Sequence, residues 1–99
     1  MIDYDTETYT TFAMDFSIAD AFGPEAIRDT FADGLGYALS DARYFAELVM
    51  VLNHKIWEWY KVNEEIALVY DELWRKADSM IDYDHFSKED VQYILRYLD

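Results

Sequence analysis

The sequence predicts a mainly α fold: a compact bundle of four to five helices around a long central helix. Three observations point there. Apolar residues recur at three- and four-residue spacing through most of the chain. Glycine and proline fall between those stretches, at Gly23-Pro24 and at Gly34-Leu35-Gly36. Of the 99 residues, 53% are apolar and 18% aromatic, ample material for one core. A chain of this length fits one domain, residues 1–99, because two would each bury too little surface.

The elements follow in order. Asp3 to Thr11 is polar and rich in threonine. Thr6 to Phe12 reads either as a short edge strand, from its β-branched and aromatic residues, or as an extended arm. Phe12 to Phe22 predicts the first helix, with Phe12, Phe16, Ala19 and Phe22 near one face. Gly23 suits the residue after a helix end, and Pro24 the first position of the next. The second helix is expected from Pro24 to Asp33, with Ile27 and Phe31 as its apolar line, and Gly34-Leu35-Gly36 as its stop. The third runs from Ser40 or Asp41 to Val62. Phe45, Leu48, Val49, Leu52, Ile56, Trp59 and Tyr60 form its stripe, and Tyr44, Met50 and Val51 make its first half apolar nearly all round, as in a helix covered on several sides. Asn63 opens or caps a fourth helix, Glu64 to Asp82, whose Asp71–Arg75 and Glu72–Lys76 pairs stand at i,i+4. Ser87 and Asp90 resemble a capping box that opens a last helix carrying Val91, Ile94, Leu95 and Leu98.

Several function classes lack their residues. Without cysteine there are no disulfides, thiolate nucleophiles or Cys-based metal sites, which fits a reducing cytoplasm. The acidic N-terminus is wrong for a signal peptide. No segment approaches the roughly 20 apolar residues of a membrane span. His54 and Glu58, at i,i+4, are the one pair spaced to share a metal, but a second histidine at helical spacing is missing. Asp82-Tyr83-Asp84 and Asp3-Tyr4-Asp5 echo the start of a calcium loop. Their sixth and twelfth positions (Ser87 and Tyr93; Thr8 and Met14) break the EF-hand rule. No phosphate loop, dinucleotide fingerprint or Gly-x-Ser-x-Gly setting is present. The expectation is a non-enzymatic chain with no metal and no cofactor.

Charge is the most informative property. The net charge is −13, which repels nucleic acid and anionic membranes and attracts basic surfaces. Residues 1–41 carry nine acids against a single base, Arg28. Residues 42–62 carry three bases and two acids, and residues 63–99 ten acids and four bases. Glu25, Asp29 and Asp33 stand at successive i,i+4 steps, a row with roughly 6 Å spacing. Like charges at that spacing cost a helix a few tenths of a kcal/mol per pair. Two readings fit the row. One is solubility. The other is external use, in which carboxylates spaced on the order of a strand's phosphates (about 3.4 Å axial rise per nucleotide) occupy a basic groove built for nucleic acid. On the second reading the contact residues are Asp15, Asp20, Glu25, Asp29 and Asp33, with Tyr9 and Phe12 as anchors. Eighteen aromatic side chains (nine Tyr, six Phe, three Trp) exceed what a small core buries, and Tyr and Trp favour interfaces. Trp57 is expected to cover a second side of the core. Tyr93 and Tyr97 are expected on the side of the last helix away from Ile94 and Leu98. A homodimer joined through apolar and aromatic surface is the alternative.

The runs Tyr9-Thr10-Thr11-Phe12, Asp15-Phe16-Ser17-Ile18-Ala19-Asp20-Ala21-Phe22-Gly23, Ala26-Ile27-Arg28-Asp29-Thr30-Phe31 and Glu47-Leu48-Val49-Met50-Val51-Leu52-Asn53-His54-Lys55-Ile56-Trp57 resemble a group of short acidic proteins of bacterial phages and conjugative elements. The resemblance spans most of the chain and brings no motif chemistry, so no residue role is carried over. It implies a context, the bacterial host cell, and a class: small acidic proteins on mobile elements are often inhibitors of host defence, of anti-CRISPR or anti-restriction type.

Overall fold

The computed structural model describes residues 6–98, all of whose regular elements are helices: α1 (Thr6–Asp20), α2 (Pro24–Ala38), α3 (Ala42–Trp59), α4 (Glu64–Asp78) and α5 (Lys88–Leu98). The expected all-α bundle is what forms. Asp3 to Asp5, where one calcium-loop echo begins, lie outside the described residues.

α1 starts earlier than periodicity alone predicts. Thr6 to Phe12, read as strand or arm, forms its first turns. Weak helix propensity yields here to packing, because Phe12 is buried and Tyr9 packs against the core. The helix also ends earlier, at Asp20. The N–H groups of Phe22 and Gly23 turn back onto the Ala19 carbonyl, at 2.9 and 3.1 Å. Gly23 takes φ 104°, a conformation that favours glycine. Phe22 therefore leaves the helix and stands 78% exposed instead of joining the core face with Phe12, Phe16 and Ala19.

α2 begins at Pro24, as expected, but runs through Gly34-Leu35-Gly36 to Ala38. The physical reason is at Gly34: a Cβ there would lie 3.4 Å from the Phe12 ring and 3.7 Å from Leu48. The glycine is a close-approach position between α1, α2 and α3 rather than a stop. α3 is capped by Asp41, whose carboxylate accepts from the Arg43 N–H at 2.9 Å. The 18-residue helix contacts each of the other four and ends at Trp59, short of Val62. Its Phe45, Ala46, Leu48, Val49, Val51 and Leu52 are all buried. Trp57 is not: it stands 70% exposed, in an edge contact with Tyr60.

Asn63 caps α4, accepting from the Ile66 N–H at 3.4 Å. α4 ends at Asp78, and Met80 and Ile81 pack half-buried in the connection that follows. Arg75 pairs with Asp71 as the spacing predicts, at 2.8 Å. Ser87 accepts from the Asp90 N–H at 3.2 Å and opens α5. Val91, Ile94 and Tyr97 are the buried face of α5, so Tyr97 lies with Ile94 rather than away from it, while Leu95 is exposed. The Tyr97 hydroxyl donates to buried Glu47 on α3 at 2.8 Å, and a phenol so partnered is easier to bury than a free one. No described helix is long and apolar enough to cross a membrane.

Candidate functional site

The acidic row survives folding as a surface. Glu25, Asp29 and Asp33 are all exposed on α2, and Asp15 is exposed on α1. None of the four forms an ion pair among the described residues. Arg28, one position from Asp29, turns the other way and meets Glu72 of α4 at 3.1 Å. α1 itself contains no lysine or arginine. The face shared by α1 and α2 is thus negative, with no counter-ion for these four carboxylates among the described residues.

Each i,i+4 step on an α-helix also rotates by about 40°. The row therefore winds from outward-facing Glu25 towards α1, and Asp33 reaches a groove between the two helices. That groove has a volume of about 780 Å³. Asp15 contributes from α1 and Asp33 from α2, with Phe12, Ile18, Tyr37 and Tyr44 among its walls. Tyr37 and Tyr44 stack with centroids 4.8 Å apart and planes 14° apart, and Tyr37 meets Phe12 edge-on at 6.3 Å. Carboxylates and aromatic rings lining one groove have the chemistry to receive a cation, above all a planar guanidinium. Among the described residues, no group of three His, Asp or Glu is placed to hold a metal ion.

The structure sorts the seven sequence-predicted contact residues. Asp15, Glu25, Asp29 and Asp33 belong to the exposed face. Phe12 is buried and serves the groove as floor rather than as an outward anchor. Tyr9 lies half-buried on another side of α1, edge-on to the His54 ring at 6.0 Å, and does not line this groove. Burial, then the Glu47 charge, push its phenol above the usual range.

Asp20 is the clear correction, because it is occupied inside the protein. Its Oδ2 accepts from Lys55 Nζ at 2.8 Å and from Trp59 Nε1 at 3.2 Å, and its Oδ1 accepts from the Tyr70 hydroxyl. Lys55 also donates to Ser17 Oγ at 3.1 Å and pairs with Glu58 at 3.0 Å. Burial alone would pull the Lys55 ammonium down, but hydrogen bonds and charge from Asp20 and Glu58 hold it above its ordinary value. Burial, then Asp20, likewise push the Tyr70 phenol up. Glu58, the supposed metal partner of His54, is the other anion of this cluster. The cluster ties α1, α3 and α4 together and presents no free nucleophile.

Neither Tyr37 nor Tyr44 carries a local pattern that assigns it to this groove. Tyr37 is the next i,i+4 step after Asp33, visible once α2 is allowed to pass Gly34 and Gly36. Tyr44 belongs to the nearly all-round apolar first half of α3, and its spacing gives no sign of Tyr37. No protein-family model matches the chain, and no curated protein or solved structure does either.

Proposed function

We propose that the protein is a non-enzymatic inhibitor that binds a basic, nucleic-acid-handling host defence protein, of anti-CRISPR or anti-restriction type, in the bacterial cytoplasm. One observation carries this reading: four exposed carboxylates, Asp15, Glu25, Asp29 and Asp33, share one face with no ion pair among the described residues. The nearest base on that face's own helices is bound to α4. A face of one sign raises the encounter rate with an opposite surface. It also stands where phosphates would stand in a basic groove, so duplex or guide RNA competes with it.

The test uses the full chain as bait in lysate of a defence-competent bacterium. The captured protein is then assayed with competing nucleic acid and with the variant Glu25→Lys/Asp29→Lys/Asp33→Lys. The reversal is expected to abolish binding and leave helical circular dichroism intact, and DNA or RNA is expected to displace the wild-type chain. Binding that ignores the reversal refutes the reading. A homodimeric interaction module is the second reading, motivated by exposed Trp57, Tyr60 and Val62 near the end of α3. Sedimentation showing a dimer that tolerates high salt would favour it.

A further inference from the structure

We infer that the α1–α2 face receives a basic amphipathic helix of the partner, with apolar residues laid along Met14 and Ile18 and an arginine or lysine held between Asp15 and Asp33. This deepens the functional reading and rests on its claim that the acidic face meets a basic protein.

The first ground is an apolar strip on the outer side of α1. Met14 and Ile18 are each 60% exposed and stand one turn apart, and Phe22 extends the line past the helix end. Single exposed apolar residues are ordinary, but residues aligned on one face mark contact surface. The strip is continuous with the groove, because Ile18 lines both the groove and a shallow depression formed with Tyr9, Thr10, Ala13, Met14 and Ser17. Beside the strip, Asp15 and Asp33 line one space from opposite helices, and the stacked Tyr37 and Tyr44 line it too.

These features together select the occupant. A row of phosphate-like charges alone has no use for Met14 and Ile18. Nucleic acid is repelled by the four carboxylates. A second copy of the chain brings the same carboxylates and, on this face, no base to meet them: α1 has none, and Arg28 of α2 is engaged with Glu72. A segment with apolar residues at helical spacing and cations on the adjoining flank satisfies both parts at once. That pattern is an amphipathic helix laid along a helical face. Arginine suits the groove better than lysine, since its plane stacks on tyrosine while its N–H groups reach carboxylates.

The test measures fluorescence anisotropy with three synthetic helical peptides of about five turns. One has a leucine stripe flanked by arginines, one has the same composition scrambled, and one keeps the arginines with glutamine in place of leucine. The first is expected to bind about tenfold tighter than the other two. Met14→Ser/Ile18→Ser and Asp15→Asn/Asp33→Asn should each lose about tenfold, only the second also weakening the salt dependence. All four positions carry no packed core contact, and circular dichroism checks that the fold is unchanged. Equal affinity for the three peptides, or no loss in the serine variant, overturns the inference and leaves the acidic-face reading standing on its charge-reversal test. No loss in the asparagine variant also overturns the inference, while the acidic-face reading falls only to binding that ignores the reversal of Glu25, Asp29 and Asp33. Concentration-dependent self-association that the serine variant abolishes makes the occupant a second copy, which also overturns the inference.

Discussion

Replacing Asp20 by asparagine separates a structural acid from a contact acid. The carboxylate accepts from Lys55, Trp59 and Tyr70, which come from α3 and α4. The Lys55 and Asp20 side chains are only 7% and 11% exposed. Asparagine keeps the shape, removes the charge and turns an amide N–H₂ towards groups that donate. Breaking a buried ion pair from one side costs about 3–5 kcal/mol. Lys55 keeps Glu58, but that side chain is 59% exposed and solvent weakens its hold. We therefore expect about 3 kcal/mol, a large part of the roughly 5–15 kcal/mol that holds a small domain. Urea unfolding followed by tryptophan fluorescence reads this as a lower midpoint at unchanged slope. The melting temperature should fall by about 12 °C or more. Asp33→Asn is the control and should shift stability by no more than about 0.5 kcal/mol. An Asp20→Asn protein as stable as wild type, yet deficient in partner binding, would refute the reasoning and return Asp20 to the contact surface.

Further outcomes follow from the same packing. Phe16→Ala removes a fully buried ring that meets Tyr70 edge-on and should cost about 3–5 kcal/mol in the same urea assay. Gly36→Ala should stabilise by about 0.5–1 kcal/mol, because the position is helical and a Cβ there meets nothing within 4 Å. Stability should decline above about pH 10: the folded chain holds protons on Tyr70 and Lys55 that the unfolded chain releases near their ordinary values. Urea midpoints taken at increasing alkaline pH should show that decline, and Tyr70→Phe should make it shallower.

Much of the fold is written in local pattern. The α4 and α5 starts are legible because Asn63 and Ser87 act within three residues of themselves, and their stripes repeat over several turns. The ends are less so. Gly34 looks like a stop in one dimension, and only the Phe12 ring across the interface explains why a helix carries glycine there. Phe22 has the right spacing for the core face, but the chain leaves the helix at Asp20 before that spacing can act. At the candidate site the carboxylate row is readable, since one helix sets it. The fate of Asp20 depends on Lys55, 35 positions away, and the aromatic floor on Tyr37 meeting Tyr44 across two helices. Neither pairing has a local signature.

The decision between solubility and binding turns on the company the row keeps. Glu25, Asp29 and Asp33 form two like-charge steps, which together cost about 0.4–1 kcal/mol. A domain tolerates that for solubility alone, so the row by itself does not discriminate. Solubility, however, is served by acids placed anywhere, including beside bases, as Asp71 is beside Arg75 on α4. On α2 the available base, Arg28, stands at i,i+3 from Glu25 and still reaches to Glu72. Solubility also gives no reason for Asp15 and Asp33 to converge from two helices on a tyrosine-floored groove, nor for Met14 and Ile18 to lie bare along its edge. Exposed apolar side chains reduce solubility. On the function proposed above, a surface that places them beside carboxylates without an ion pair among the described residues fits a partner that offers both cations and apolar contact.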